Sequence, residues 1–377
     1  MNTSPRLKDQ LFHRQAIEAL GKRFAAVDPA FDVSGFVQTT LDGFEPLELK
    51  QRIHKIAVGL EAHLPDDYRA ACQWMVAALP PPLDPARSDD DFGDFIYAPL
   101  GEYVVRRFPG KRHLPLALRT LKQVTMRFSM EYAIRFFINA YPQETFRKLE
   151  AWASDSHYHV RRLVSEGTRP RLPWATRLSI PHTQPLPLLD RLHADPTRYV
   201  TRSVANHLND IAKTDPGLVL QTLQRWQAAA QQQPQELQWM ARHALRTLIK
   251  QGHPAALELL GYSAQPAIAV RKFQLACARV SPGQALEFSF EITARQATRL
   301  LIDYAIDFVK ADGRRSAKVF KLKQLSLAAG QRVVVHKRHP LRANATTFRL
   351  YPGQHHLTLQ INGRPAGSLP FHLCASV

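Results

Sequence analysis

An arginine returns at positions 162, 202 and 242, each time with an apolar residue two places before it and another two places after. The flanking pairs are Val160 and Val164, Val200 and Val204, and Met240 and Ala244. The first two units also share an aspartate, Asp155 and Asp195, so the offset is 40 at every matched position. A period of about forty residues belongs to stacked helix pairs, because one pair cannot bury its apolar face alone. Helical spacing extends upstream, with Leu11, Ile17, Leu20 and Phe24 in one stretch and Ile53, Ile56, Ala57, Leu60 and Leu64 in another, before Pro80, Pro81 and Pro82 break the pattern. The sequence therefore predicts a mainly α protein in which residues 1–265 form a HEAT-like α-solenoid. Two roles are open for the repeated arginine: tying one repeat to the next, or lining a concave face.

From residue 267 onward the apolar period changes to two. Seven runs read as strands: 273–280, 285–292, 299–309, 317–325, 331–338, 355–361 and 368–373. Turn signals separate them, among them Ser281-Pro282-Gly283, Asp312-Gly313, Ala329-Gly330 and Asn362-Gly363. This density predicts an immunoglobulin-like β-sandwich over 267–377. Cys277 and Cys374 are assigned to its first and last strands. With Cys72 they are expected to stay reduced, in or near the core.

Charge sets the chain apart from an ordinary soluble protein. Its formal net charge is +18, the balance of a chain that meets a polyanion. Residues 271–377 hold 17 Lys and Arg against 5 Asp and Glu, whereas the other 270 residues hold 33 against 27. The strand region is therefore expected to contact DNA, through Arg314, Arg315, Lys318, Lys321 and Lys323 and through Arg332, Lys337, Arg338 and Arg342. No apolar stretch is long enough to span a membrane, and the N-terminus lacks an apolar core of the secretory kind. A cytoplasmic, bacterial, monomeric protein is expected. The acidic residues Asp89, Asp90, Asp91 and Asp94 read as a solvated loop, and Ala228–Gln235 as a linker between helices.

The densest chemistry lies between Trp152 and Trp174. Arg161, Arg162, Arg169 and Arg171 occur there without a lysine, as forked donors suited to phosphate. The alternative is a basic helix end stopped by Gly167 and Pro170, with Trp174 in the core. Glu166 stands among these arginines. Two further carboxylates share such surroundings: Glu131, placed with Arg135 at i and i+4 on one helix face, and Asp210, beside Arg202, Asn206 and Asn209. Each either orients a nearby arginine or stabilises a positive charge that appears on a ligand. The chain has no P-loop, no G-x-G-x-x-G after a strand and no G-x-S-x-G, and His157 and His159 lack metal-site spacing. Chemistry here would run on carboxylates, arginines and aromatics, with no cofactor or metal.

The runs 159–174 (HVRRLVSEGTRPRLPW) and 199–216 (YVTRSVANHLNDIAKTDP), preceded by 128–138 (FSMEYAIRFFI), resemble the AlkC branch of the AlkC/AlkD DNA alkylation-repair glycosylases. The resemblance covers most of the helical region and keeps the family's motif order. It implies a HEAT-like helical array, in some members followed by an immunoglobulin-like domain. The implied activity is monofunctional hydrolysis of the N-glycosidic bond of 3-methyladenine and 3-methylcytosine in double-stranded DNA, without metal or cofactor. By motif, the catalytic carboxylates would be Glu131, Glu166 and Asp210, with Glu166 the first place to look. Trp174 would pack near the lesion, and Arg135, Arg161, Arg162, Arg169, Arg171 and Arg202 would contact DNA. The competing expectations are a nucleic-acid-binding scaffold without chemistry and a protein-interaction module.

Overall fold

The computed structural model describes residues 6–86, 92–343 and 349–375. The chain divides into two compact units, Met1–Ile211 with Trp226–Ala244, and Ala212–Arg225 with Leu245–Val377. The strands begin at Ile268, but the helices Arg246–Lys250 and Pro254–Leu259 belong with them in the second unit, so the compact units do not divide at 265–267.

Side-chain caps start several helices of the first unit. Asp32 accepts from the Gly35 amide (2.9 Å) ahead of Val33–Leu41, and Asp67 from the Ala70 amide (2.8 Å) ahead of Tyr68–Ala77. Helix Tyr158–Gly167 fully buries Tyr158, Val160, Leu163 and Val164. Each such side chain contributes about 1.5–3 kcal/mol. Helix Arg198–Ile211 packs on it, and helix Pro234–Ala244 packs on that in turn. Gly167 is the last residue of its helix and is there for packing: a Cβ on it would lie 2.5 Å from Ile134 Cγ2 of helix Ala133–Ala140.

The offset of 40 is visible in the helix starts, Tyr158 and Arg198, and in the turns before them. Asp155 accepts from the His157 amide (2.9 Å), and Asp195 from the Thr197 amide (2.8 Å). Ties between successive segments come from the repeated arginine at Arg162, which donates to Glu131 Oε2 (2.6 Å), and from other arginines near it. Arg161 Nε donates to Asp195 Oδ2 (2.5 Å), and Arg198 Nε to Glu236 Oε1 (2.8 Å). At the repeated position itself Arg162 and Arg202 are half-buried and Arg242 is exposed.

Two sequence expectations change in this unit. The run Ala228–Gln235 is more than a linker, because Gln232 is buried and its amide donates to the carbonyls of His193 (3.0 Å) and Asp195 (3.1 Å). In the acidic run, Asp94 accepts from the Ile96 amide (3.1 Å) and starts a short 3-10 turn. Asp89, Asp90 and Asp91 lie outside the described residues.

The second unit carries eight described strands, where seven were expected: β1 (Ile268–Leu275), β2 (Arg279–Val280), β3 (Ala285–Ala294), β4 (Thr298–Val309), β5 (Arg315–Leu327), β6 (Arg332–Pro340), β7 (Gly353–Ile361) and β8 (Arg364–Leu373). The first expected run breaks at 276–278 because β1 pairs with β3 while β2 pairs with β8, in the other sheet. The sheets are β1-β3-β6 and β2-β8-β7-β4-β5. Phe288, Phe290 and Ile292 of β3 meet Leu300, Ile302, Tyr304 and Ile306 of β4 in one core. The β7–β8 turn takes Asn362 (φ 48°) and Gly363 (φ 76°) into the left-handed region, as a two-residue hairpin of this type requires. All three cysteines are free thiols, but only Cys72 is buried; Cys277 is exposed between β1 and β2, and Cys374 follows β8 half-buried. No helix among the described residues is long and apolar enough to cross a membrane.

Candidate active site

Five charged side chains from three segments of the first unit form an alternating chain. Glu131 lies in the turn before helix Ala133–Ala140, and its Oε2 accepts from Ser129 Oγ (2.9 Å) and Arg162 Nη1 (2.6 Å). Arg162 then reaches Glu166 Oε1 with its Nη2, at 3.6 Å. Glu166 Oε1 accepts from Arg169 Nη1 (2.6 Å), while its Oε2 accepts from Ser203 Oγ (2.6 Å). Arg169 closes the chain on Asp210 Oδ2, from Nε at 3.0 Å and Nη2 at 2.9 Å. Tyr199 stacks its ring against the Arg162 guanidinium at 4.7 Å. Helical periodicity explains the meeting: Arg162 and Glu166 share a face at i, i+4, and Ser203 and Asp210 lie on the face of the next helix turned toward it.

The three carboxylates differ in access. Glu166 and Asp210 are 5% and 2% exposed. The Glu131 side chain is 15% exposed; its bonds to Ser129 and Arg162 both fall on Oε2, and Oε1 makes no hydrogen bond among the described residues. The electrostatics keep the interior of the chain charged. Burial opposes the Glu166 carboxylate, yet Arg162, Arg169 and the Ser203 hydroxyl outweigh it and hold the carboxyl below its ordinary pKa. Burial likewise opposes the Arg162 charge, and Glu131 and Glu166 overcome it and raise its pKa.

Several placements depart from the sequence expectation. Glu131 and Arg135 do not share a helix face as an ion pair, because Glu131 precedes the helix and pairs with Arg162. Arg135 is 1% exposed and donates to the carbonyls of Thr176 (2.6 Å), Gly167 (3.0 Å) and Arg169 (2.8 Å), so it does not reach a phosphate. Arg169 is buried between two carboxylates, Arg162 lies within the chain, and Arg161 is engaged by Asp195 and the carbonyls of Asp155 and Ser156. Arg171 is exposed and Arg202 half-buried. Trp174 is not a core residue: it is 72% exposed, with φ at 60°. In the second unit Arg314 pairs with Asp312, Arg315 bonds His356 Nδ1 (2.6 Å), and Lys318 sits 5.5 Å from the Phe320 ring, all three exposed.

Sequence reasoning missed Ser129, Tyr199, Ser203 and His207. Tyr199 was detectable, since the offset of 40 places it opposite His159 inside a matched unit. Serines carry no comparable pattern. His207 is fully buried, its Nδ1 3.1 Å from the Ser165 carbonyl oxygen, and burial pushes its pKa down to about 4. The folded state prefers the neutral ring, whereas an unfolded histidine takes a proton near pH ~6.5. The contribution is therefore complete above about pH 6.5 and is lost as pH falls toward about 4, by roughly 3 kcal/mol in all. Urea unfolding at about pH 7 and about pH 4.5 should show a smaller acid loss for His207→Gln than for the wild type; equal losses would refute the assignment.

Residues 269–375 match the family model described as "Uncharacterised protein YhaZ, C-terminal Ig-like domain". The chain is 32% identical over 369 residues to the uncharacterized protein YhaZ of Bacillus subtilis (strain 168), spanning 97% of this chain and 99% of that one. It also superimposes on the alkylpurine DNA glycosylase AlkC of Pseudomonas fluorescens, solved bound to DNA containing an abasic site analog. The TM-score is 0.84 at 35% identity, covering 98% of this chain and all of that one. The chain belongs to the AlkC branch of the AlkC/AlkD family of DNA alkylation-repair glycosylases.

Proposed function

We propose that this protein is a monofunctional DNA glycosylase that releases cationic alkylated bases, 3-methyladenine and 3-methylcytosine, from double-stranded DNA at the start of base excision repair. The observation that carries the reading is the open Oε1 of Glu131, at the accessible end of a buried chain of fixed charges. A 3-methylated base already bears positive charge and is a good leaving group. Its departure leaves an oxocarbenium-like sugar. A carboxylate held beside that sugar stabilises the developing cation and orients the attacking water. Glu166 and Asp210 stand behind Glu131 and fix Arg162 and Arg169, so the site needs no rearrangement as charge develops. Arg171, Arg202 and the exposed Trp174 face the duplex on this reading, within a HEAT-like array of repeats acting as a monomer in the cytoplasm.

The test is incubation of the purified protein with methylated duplex DNA and analysis of the released bases. Release of 3-methyladenine or 3-methylcytosine supports the proposal. DNA binding without release would instead support a scaffold whose carboxylates serve only as ion-pair partners.

The second unit adds a DNA-binding surface on the same reading. β5 is the edge strand of its sheet and carries the exposed Lys318, Lys321 and Lys323. Replacing all three with Gln should flatten the slope of log affinity against log salt by up to about 2.7, at ~0.9 for each phosphate no longer neutralised. An unchanged slope would remove these lysines from the interface.

A further inference from the structure

The segment from Gly167 to Ser179 contains the most exposed large aromatic of the described residues, and most side-chain hydrogen bonds to its backbone come from one short helix and the residue before it. Arg135 of helix Ala133–Ala140 holds the carbonyls of Gly167, Arg169 and Thr176. One turn further, Asn139 Nδ2 donates to the Arg177 carbonyl (2.9 Å), and its Oδ1 accepts from the Ser179 amide (2.9 Å) and hydroxyl (3.2 Å). Tyr132 donates its hydroxyl to the Pro173 carbonyl (3.4 Å), and Lys50 donates to the carbonyl of Trp174 itself.

Two features of this arrangement need an explanation that stability does not supply. Arg135 is a guanidinium at 1% exposure whose hydrogen-bond partners are all neutral carbonyls. Burial and the neighbouring Arg169 charge push its pKa down to about 10. Burying a cation without a carboxylate partner is unfavourable. Trp174 has φ at 60°, a conformation that side-chain-bearing residues rarely adopt, yet its ring is 72% exposed and gains little from burial in return. A buried cation and a strained backbone are thus used together to fix the backbone beneath a ring that lies in solvent. Fixing a ligand-facing group before the ligand arrives removes the ordering cost of binding.

We propose that Arg135 and Asn139 are positioning residues that hold Trp174 in place to meet the duplex beside the lesion. Neither touches DNA; both act through the backbone of 167–179. The proposal rests on the glycosylase reading for what the ring meets, but not for whether the ring is fixed.

The experiment has two arms. In the first, single-turnover base release from methylated duplex DNA is measured for Asn139→Ala, Arg135→Lys, Trp174→Ala and the two double variants. Asn139→Ala should weaken half-saturation about 3- to 10-fold with little change in the rate at saturation, as a ring that must be ordered on binding would. In the Trp174→Ala background that effect should fall below about twofold. An effect that persists undiminished without the ring, or none with it present, overturns the proposal. If Arg135→Lys fails to fold, the half-buried Asn139 carries the test alone. In the second arm, the five tryptophans are labelled with 5-fluorotryptophan and the Trp174 fluorine signal is assigned by its loss in Trp174→Phe. The signal should shift and narrow in Asn139→Ala as the ring gains freedom; an unchanged signal overturns the proposal. This arm needs no activity. A wild type that releases no base would therefore count against the glycosylase reading and leave the positioning of Trp174 to be judged by the fluorine signal.

Discussion

Glu131→Gln should reduce base release from methylated duplex DNA about 100- to 1,000-fold, with DNA affinity close to wild type and a smaller loss of thermal stability than Arg169→Ala, because Arg162 keeps Glu166 as a charged partner. The size follows from removing one preorganised charge from the place where positive charge develops, a loss of about 2.7–4 kcal/mol. The selectivity follows from position. Glu131 is the most accessible of the three carboxylates, its Oε1 is unengaged among the described residues, and glutamine keeps an oxygen for Ser129 and Arg162 at Oε2. Single-turnover release, a binding titration and a thermal melt on the same preparations are sufficient. Full activity in a folded Glu131→Gln protein would sink the assignment. The proposed catalytic carboxylate is thus two links along the ion-pair chain from Glu166, where the sequence pointed first.

Arg169→Ala should be the most destabilising single change in the site. Arg169 lies between Glu166 at 2.6 Å and Asp210 at 2.9 Å, and these carboxylates are 5% and 2% exposed. Removing the guanidinium leaves two buried acids facing a gap, with Arg162 only 3.6 Å from one of them. Breaking such a pair from one side costs about 3–5 kcal/mol. Urea unfolding followed through the helical signal should show a loss of this size, and Glu166→Gln, which keeps the shape and a partner for Ser203, should lose less. A loss under about 1 kcal/mol would mean that the chain behaves like an exposed ion pair. Together the two variants separate the roles: catalysis at the open end, stability in the middle.

The sequence was informative about which acids meet and poor at saying what the arginines do. Glu131, Glu166 and Asp210 were singled out as carboxylates set among arginines, and all three converge. The helical period and the strand alternation were legible because burial imposes them along the whole chain. An arginine reads the same whether its partner is a phosphate, a carboxylate or a carbonyl. Arg135, Arg161 and Arg169 proved to have partners within the chain, among them residues 32 to 41 positions away, which no local pattern encodes. Of the two readings open for Trp174, the core one falls: its ring is 72% exposed, on a left-handed backbone whose carbonyl Lys50 holds. The split of the first expected strand into β1 and β2 depends on which sheet each half joins, and the alternation alone does not carry that choice.

The hydrogen bonds that join the layers of the first unit have a consequence for how the protein is made. Arg106–Glu61, Arg161–Asp195, Ser203–Glu166 and Arg169–Asp210 join residues 34 to 45 positions apart. Each layer can therefore lock onto its predecessor as soon as the next stretch of that length leaves the ribosome, with a similar and modest closure entropy each time. The carboxylate chain is the exception to early completion. A nascent chain that ends before helix Arg198–Ile211 has Glu166 without Ser203 and Arg169 without Asp210. The ion-pair chain is completed in one step, when that helix docks, long after the residue proposed to face the substrate has been synthesised.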